Sequence, residues 1–190
     1  MSEYLREYRA AILHDRPVVS APQQSVRWIP PRDGLFKINV DGAVFLKQKV
    51  VGVGVVIHDS EGRLEAALSK KIPLPLGTAK VEAKAFEVGL LFAKDVGVWD
   101  VVLEGDSTIV YNALCNYSRA PSSIAAVTHG IQDISKEFRS VEFSHVRRQG
   151  NIPAYILAKN ASSINDYVAW IEEDPCCIMQ ALIHDVNSFS

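Results

Sequence analysis

The sequence predicts an α/β domain built on a mixed sheet, with a three-stranded antiparallel meander first and strands alternating with helices afterwards. Residues 35–44 (LFKINVDGAV) alternate cleanly, with Phe36, Ile38 and Val40 on one face and Lys37, Asn39 and Asp41 on the other. Residues 51–58 and 63–72 add two strand-like runs joined by a tight turn, and residues 79–95 switch to helical spacing. That change of period, followed by further strand–helix alternation, is the pattern of a mixed sheet carrying helices on its faces.

The elements follow in order. Residues 51–58 (VGVGVVIH) are rich in β-branched side chains, with Gly52 and Gly54 permitting close backbone approach. DSEG at 59–62 makes the turn, Gly62 taking positive φ, so residues 63–72 return as a hairpin. PLPLG at 73–77 ends the meander, and Thr78 is placed to cap the helix over 79–95. Val81, Ala85, Val88 and Phe92 form its apolar stripe, and Gly97 lies just past its end. Residues 100–105 (DVVLEG) are apolar enough for a central strand, and helices follow from Ser107 or Thr108 to about 116 and from Ser122 or Ser123 to about 138. Residues 140–147 alternate as a fifth strand, and a last helix runs from about 152 to 163. Before all this, residues 4–13 (YLREYRAAIL) read as a short amphipathic helix, and residues 14–32 hold Pro17, Pro22, Pro30 and Pro31 in an extended linker. The expected organisation is therefore 1–32 helix and linker, 33–165 domain, and 166–190 tail.

Composition bounds what such a domain does. At 190 residues, with 48% apolar and 22% charged residues, the chain can bury about 70% of its unfolded surface and needs no cross-links. A formal net charge of -2 gives no global attraction for nucleic acid, so any such binding must come from local patches or bound cations. Cys115, Cys176 and Cys177 show neither an even framework nor metal-ligand spacing and read as reduced thiols. With no signal peptide and no apolar run long enough to span a membrane, the expected location is intracellular, in cytoplasm or nucleus, away from membranes.

Three carboxylates stand out by placement. Asp41 follows the apolar run of the first strand, Asp106 directly follows the fourth, and Glu82 lies near the start of the long helix. If the first and fourth strands are parallel neighbours, the two aspartates meet at one sheet edge and the helix brings Glu82 over it. Converging like charges repel by several kcal/mol in reduced dielectric unless a cation sits between them, and hard oxygen ligands select Mg²⁺ or Mn²⁺. Singly, each has a plainer role: Asp41 before Gly42 as a strand-end residue, Glu82 favouring the helix dipole, Asp106 as an N-cap.

On this order of elements, DGA at 41–43, VEAKA at 81–85 and EGDS at 104–107 resemble the ribonuclease H-like domain family. WIPPRDGLFKINVDGA at 28–43, GVGVVIHDSEGR at 52–63, HVRRQGN at 145–151 and VAWIEEDP at 168–175 extend the resemblance to the plant branch associated with non-LTR retrotransposon reverse transcriptases. The resemblance implies a five-stranded mixed sheet flanked by helices and a metal-dependent endonuclease, a hydrolase of the RNA strand of RNA–DNA hybrids. It implies Mg²⁺ (or Mn²⁺) as cofactor, with two cations about 3.5–4 Å apart. Asp41 would bridge both metals, Glu82 would hold one near the ribose 2′-OH, and Asp106 matches the aspartate after the fourth strand.

One position departs. The family's fourth carboxylate lies four residues after the Asn of a GNxxAD motif, and the corresponding run Gly150-Asn151-Ile152-Pro153-Ala154-Tyr155 puts Tyr155 there. A phenol with an ordinary pKa near 10 cannot replace a carboxylate around Mg²⁺ at neutral pH. Three readings stay open: an active hybrid ribonuclease, a catalytically weakened nucleic-acid-binding module, and an inert domesticated fragment. An exonuclease of the same fold superfamily would place a DxE pair on the first strand, which Asp41-Gly42-Ala43 lacks.

Arg147, Arg148 and Asn151 are candidate nucleic-acid contacts, the arginines as multidentate phosphate donors. The neighbouring His145 reads equally well as a polar strand end. Lys47 and Lys49 read as a solvated loop, Asn112 as a surface residue, and Trp99 and Trp170 as packing residues. The partner expected is an RNA–DNA hybrid or other nucleic acid, bound without sequence specificity by a monomeric chain.

Overall fold

Alternation along the first strand decides how the sheet is dressed. In the computed structural model, which describes residues 28–187, β1 (Phe36–Phe45) sends Ile38 and Val40 into the main core and Lys37, Asn39 and Asp41 to the opposite face. The helix expected over residues 4–13, and the linker as far as residue 27, lie outside the described residues. β2 (Val50–His58) and β3 (Leu64–Ile72) complete the meander, Gly62 in their turn holding φ +80°. Then come α1 (Thr78–Asp95), β4 (Asp100–Gly105), α2 (Thr108–Leu114), α3 (Ala125–Ser135), β5 (Ser140–His145) and α4 (Ile152–Asn160).

The expected α/β architecture is present, with one strand more than expected. Among the described residues the sheet has six strands in the order β5-β4-β1-β2-β3-β6, because Tyr167–Ile171, read in the sequence as tail, forms β6 antiparallel to β3. A helix, α5 (Met179–Asn187), follows it. The cause is visible in the residues: YVAWI lacks the polar alternation that marks a half-buried strand, and four of its five residues are exposed. Thr78 does not cap α1 either. It is the first helical residue, and Gly77 takes the cap position without a side-chain bond.

Helix α1 covers one face, packing Val81, Ala85, Phe86, Leu90 and Phe92 into a core with Ile38, Val40, Val53, Val55 and Leu103. On the other face α4 lies directly on β2, and Gly54 is what lets it come so near. A Cβ at Gly54 would stand 2.0 Å from the Ala154 carbonyl oxygen and 2.5 Å from the Ala158 nitrogen, both backbone atoms. Ala154 and Leu157 of α4 join Val56 and Ala67 in a second, smaller cluster there. Gly54→Ala must therefore push α4 off the sheet, and we expect a loss of about 3 kcal/mol, read as a lowered urea midpoint.

Candidate metal centre

The site is assembled by strand register. β1 and β4 run parallel with Val40 opposite Gly105, so the next residues, Asp41 and Asp106, are neighbours at the same edge. β5 runs parallel to β4 with His145 opposite Gly105, which delivers Val146, Arg147 and Arg148 to that edge too. Glu82 arrives from α1, whose backbone presses on β1 at one point. A Cβ at Gly42 would lie 3.0 Å from the Val81 carbonyl carbon and oxygen. The glycine after Asp41 thus lets helix and strand close on each other, beyond any role in a turn.

Asp41, Glu82 and Asp106 each offer an oxygen within 4.8 Å of the others, with Asp41 and Glu82 buried and Asp106 half-buried. Among the described residues no other acidic, His or Cys side chain joins that group. Asp41 Oδ1 accepts the Gly42 N–H at 2.9 Å, whereas its buried Oδ2 has no hydrogen-bond partner among the described residues. A buried carboxylate oxygen left unsatisfied costs roughly 1–3 kcal/mol or more, so this atom is shaped for something other than protein. A hard divalent cation fits the all-oxygen donor set.

Electrostatics records the same tension. Burial first, and then the charge of Asp106, pushes the Asp41 carboxyl up to about 7. Burial, Asp41 and Asp106, in that order, push Glu82 up to about 8. Arg148 relieves part of this: its Nε donates to Asp106 Oδ2 at 3.1 Å, and its guanidinium lies 5.6 Å from the centre of the Tyr155 ring. Tyr155 is half-buried on the first part of α4.

The other expected residues fall in different places. Arg147 and Arg148 are both exposed, and Arg148 lies beside the carboxylates through its pair with Asp106. Asn151, expected to contact nucleic acid, is 1% exposed, and its Nδ2 donates to the Val40 carbonyl at 2.9 Å, so it ties α4 to the backbone just before Asp41. Glu104, two residues before Asp106, belongs to a separate buried network. It accepts from Asn39 Nδ2 at 3.0 Å and Ser144 Oγ at 2.8 Å and pairs with Lys37 at 3.4 Å. Trp28 Nε1 in turn donates to Asn39 at 2.8 Å, which seats the start of the described chain on the sheet. His145 Nε2 lies 3.1 Å from both Thr108 Oγ1 and the Asp106 carbonyl oxygen, bracing the turn that carries Asp106. Neither the Arg148–Asp106 pair nor the bracing by His145 was legible in spacing, because both depend on the β4–β5 register. Trp99 packs against Phe138 and Trp170 against the smaller core cluster, as expected of packing residues.

A sequence profile described as reverse transcriptase-like matches residues 39–161, a span that contains all three carboxylates and Tyr155. The chain belongs to the reverse transcriptase-like family. No curated protein sequence matches this family member. Among solved structures, RNase H1 of the halophilic archaeon Halobacterium salinarum matches with TM-score 0.64 and 24% identity, over 68% of this chain and 98% of that one. An RNase H1 isolated from compost, solved with an RNA/DNA hybrid, matches with TM-score 0.61 and 21% identity over 66% and 95%. The prototype foamy virus protease-reverse transcriptase matches with TM-score 0.54 and 16% identity, over 79% of this chain and 24% of that chain. These likenesses show that the reverse transcriptase-like domain has the ribonuclease H-like fold. No helix among the described residues is long and apolar enough to cross a membrane.

The raised carboxyls tie stability to pH. Because Asp41 and Glu82 bind protons more tightly in the fold than their ordinary values of 3.8 and 4.5, their contribution is fully present at low pH. It is lost as pH rises through about 7 and 8. The melting midpoint of metal-free protein should therefore fall on going from mildly acidic to mildly alkaline buffer, and Mg²⁺ or Mn²⁺ should raise it again on the alkaline side. Asp41→Asn should flatten the pH dependence and abolish most of the metal response in differential scanning calorimetry.

Proposed function

We propose that this chain is a metal-dependent ribonuclease H-type domain that engages RNA–DNA hybrids and cuts their RNA strand slowly. The observation that carries the reading is the convergence of Asp41, Glu82 and Asp106 around the unpartnered, buried Asp41 Oδ2. Asp41 and Glu82 would hold Mg²⁺ (or Mn²⁺) from the sheet and from α1, and Asp106 from the end of β4. The chemistry that a divalent cation would supply there is Lewis acidity toward a water and toward the leaving oxygen of a phosphodiester. The same motifs that extend from residues 28 to 175 support the plant non-LTR retrotransposon branch as the source of the domain.

Tyr155 is the reason for slow turnover. Among the described residues the acidic cluster holds three carboxylates and no fourth, and Arg148 already contributes a positive charge beside Asp106. Three carboxylates against one guanidinium would balance a single divalent cation, and these residues would hold a second only weakly. Arg148 and Arg147 would contact phosphates of the bound hybrid. The Arg148 side chain is 64% exposed and its ion pair contributes under about 1 kcal/mol, so it can turn to a phosphate at little cost. Asn151, buried, positions the site from behind.

A second reading, a binding module that no longer cuts, is favoured by Tyr155 alone. The two separate in an assay with a hybrid whose RNA strand is labelled, in Mg²⁺ or Mn²⁺. We expect slow cleavage that Asp41→Asn abolishes and Tyr155→Asp accelerates by about a hundredfold, the worth of about 2.7 kcal/mol of charge stabilisation. Arg148→Ala should weaken hybrid binding and reduce its salt slope by about 0.7–0.9. Salt-sensitive binding with no cleavage by either the native chain or Tyr155→Asp selects the binding module. Equal, efficient cutting by both defeats the role given to Tyr155.

A further inference from the structure

The geometry points to a positioning role for a polar belt one rung below the carboxylates: Trp28, Asn39, Glu104 and Ser144, joined side chain to side chain, set the spacing of the strand ends that carry Asp41 and Asp106. The inference rests on the metal site proposed above and concerns how that site is held in shape. Asn39 stands opposite Glu104 in the β1–β4 ladder, and Glu104 opposite Ser144 in the β4–β5 ladder. All three therefore share one rung of three parallel strands. Two residues further along β1 and β4, on the same face, come Asp41 and Asp106, about 6.6 Å nearer the strand ends.

The bonds of the belt leave it one arrangement. The Trp28 indole N–H can only donate, and it meets Asn39 Oδ1 at 2.8 Å. The Glu104 carboxylate accepts on both oxygens, from Asn39 Nδ2 at 3.0 Å and from Ser144 Oγ at 2.8 Å. The Asn39 amide is thus fixed from both sides, its oxygen toward the indole and its nitrogen toward the carboxylate. Turned over, it would set donor against donor and acceptor against acceptor. Lys37 Nζ balances the charge of Glu104 at 3.4 Å and donates to the Ile29 carbonyl at 2.6 Å, so the chain at 28–29 closes the belt from outside the sheet. Trp28, Asn39 and Glu104 are buried, and a group freed there by a lost bond finds no water to replace it.

The site needs that spacing more than the fold does. The last paired residues are Val40 with Gly105 on one side of β4 and Gly105 with His145 on the other. Asp41 and Asp106 lie just past them, where like charges push the strand ends apart. A belt across all three strands one rung below opposes that splay, and a ligand set held ready loses less on binding a cation. Trp28 lies ahead of the profile-matched span of residues 39–161, so the belt makes the segment before that span a support of the metal site.

The test is calorimetric titration of the full chain with Mn²⁺, at a temperature where circular dichroism shows the native chain and its variants folded. Trp28→Phe keeps a buried ring and loses the N–H, so it should weaken Mn²⁺ about fivefold, the worth of one hydrogen bond passed on to the site. Ser144→Ala cuts the belt at its other end, should weaken Mn²⁺ in the same direction, and gives the readout should the indole be needed for folding. By reciprocity, saturating Mg²⁺ should slow hydrogen exchange of the Trp28 indole by a similar factor. A merely structural role would lower the melting midpoint of both variants and leave the affinity of the folded protein alone. A native chain that binds Mn²⁺, with both variants binding it equally well, therefore overturns the inference and leaves the proposed function standing. A native chain that binds no Mn²⁺ overturns both.

Discussion

The parallel pairing of β1 with β4 at the centre of the sheet is the constraint on which the site depends. β1 pairs antiparallel with β2 on one side and parallel with β4 on the other, so the chain reverses its winding between these strands. Such a switch opens a crevice at the carboxyl ends of the parallel strands. Val40 opposite Gly105 makes Asp41 and Asp106 neighbours, and His145 opposite Gly105 brings the Val146–Arg148 run to the same edge. Nothing in the carboxylates themselves favours this meeting. It is imposed by a ladder of backbone bonds and by Ile38, Val40 and Leu103 packed beneath it against α1.

Two buried acids, Glu104 on β4 and Asp41 on β1, show how differently the fold treats the same charge. Glu104 is 2% exposed yet well supplied, by Lys37, Asn39 and Ser144. Breaking such a buried pair costs about 3–5 kcal/mol, so Glu104 belongs to the architecture. Asp41 is 1% exposed, on the same face of β1 as Lys37 and Asn39, and one of its oxygens has no partner. Along a single strand face, two polar residues are satisfied from within and the third keeps an oxygen without a partner among the described residues. Burial alone separates nothing here; the supply of partners does.

Much of this was legible in the sequence, and the omissions have physical causes. Lys37, Asn39 and Asp41 alternate against Ile38 and Val40, which is enough to assign the strand and its faces. The long helix shows an apolar stripe, and Gly97 after it holds φ +81° as a helix stop requires. β6 was missed because an edge strand with both faces largely exposed carries no alternation to read. The burial of Asn151 was not legible because it follows from how α4 descends onto β2, which depends on the space at Gly54 rather than on anything near Asn151 in sequence. The roles of His145 and Arg148 toward Asp106 cross between β4 and β5, and pairwise register of that kind lies beyond local pattern.

Arg148 and Tyr155 are best understood together. An aspartate at position 155 would add a fourth negative charge to a cluster in which two carboxyls are already pushed up to about 7 and 8. Without a strongly bound second cation such a charge destabilises the fold, since like charges at this spacing repel by several kcal/mol. A tyrosine removes that repulsion and gives the Arg148 guanidinium a ring to lie against while it reaches Asp106. Aromatic and ion pair each contribute on the order of 0.5–1 kcal/mol at an exposed site. That is enough to seat the arginine beside Asp106, and under the proposed function it would still leave the arginine able to turn to a phosphate. On the function proposed above, a tyrosine at position 155 would thus trade metal affinity for stability of the metal-free fold.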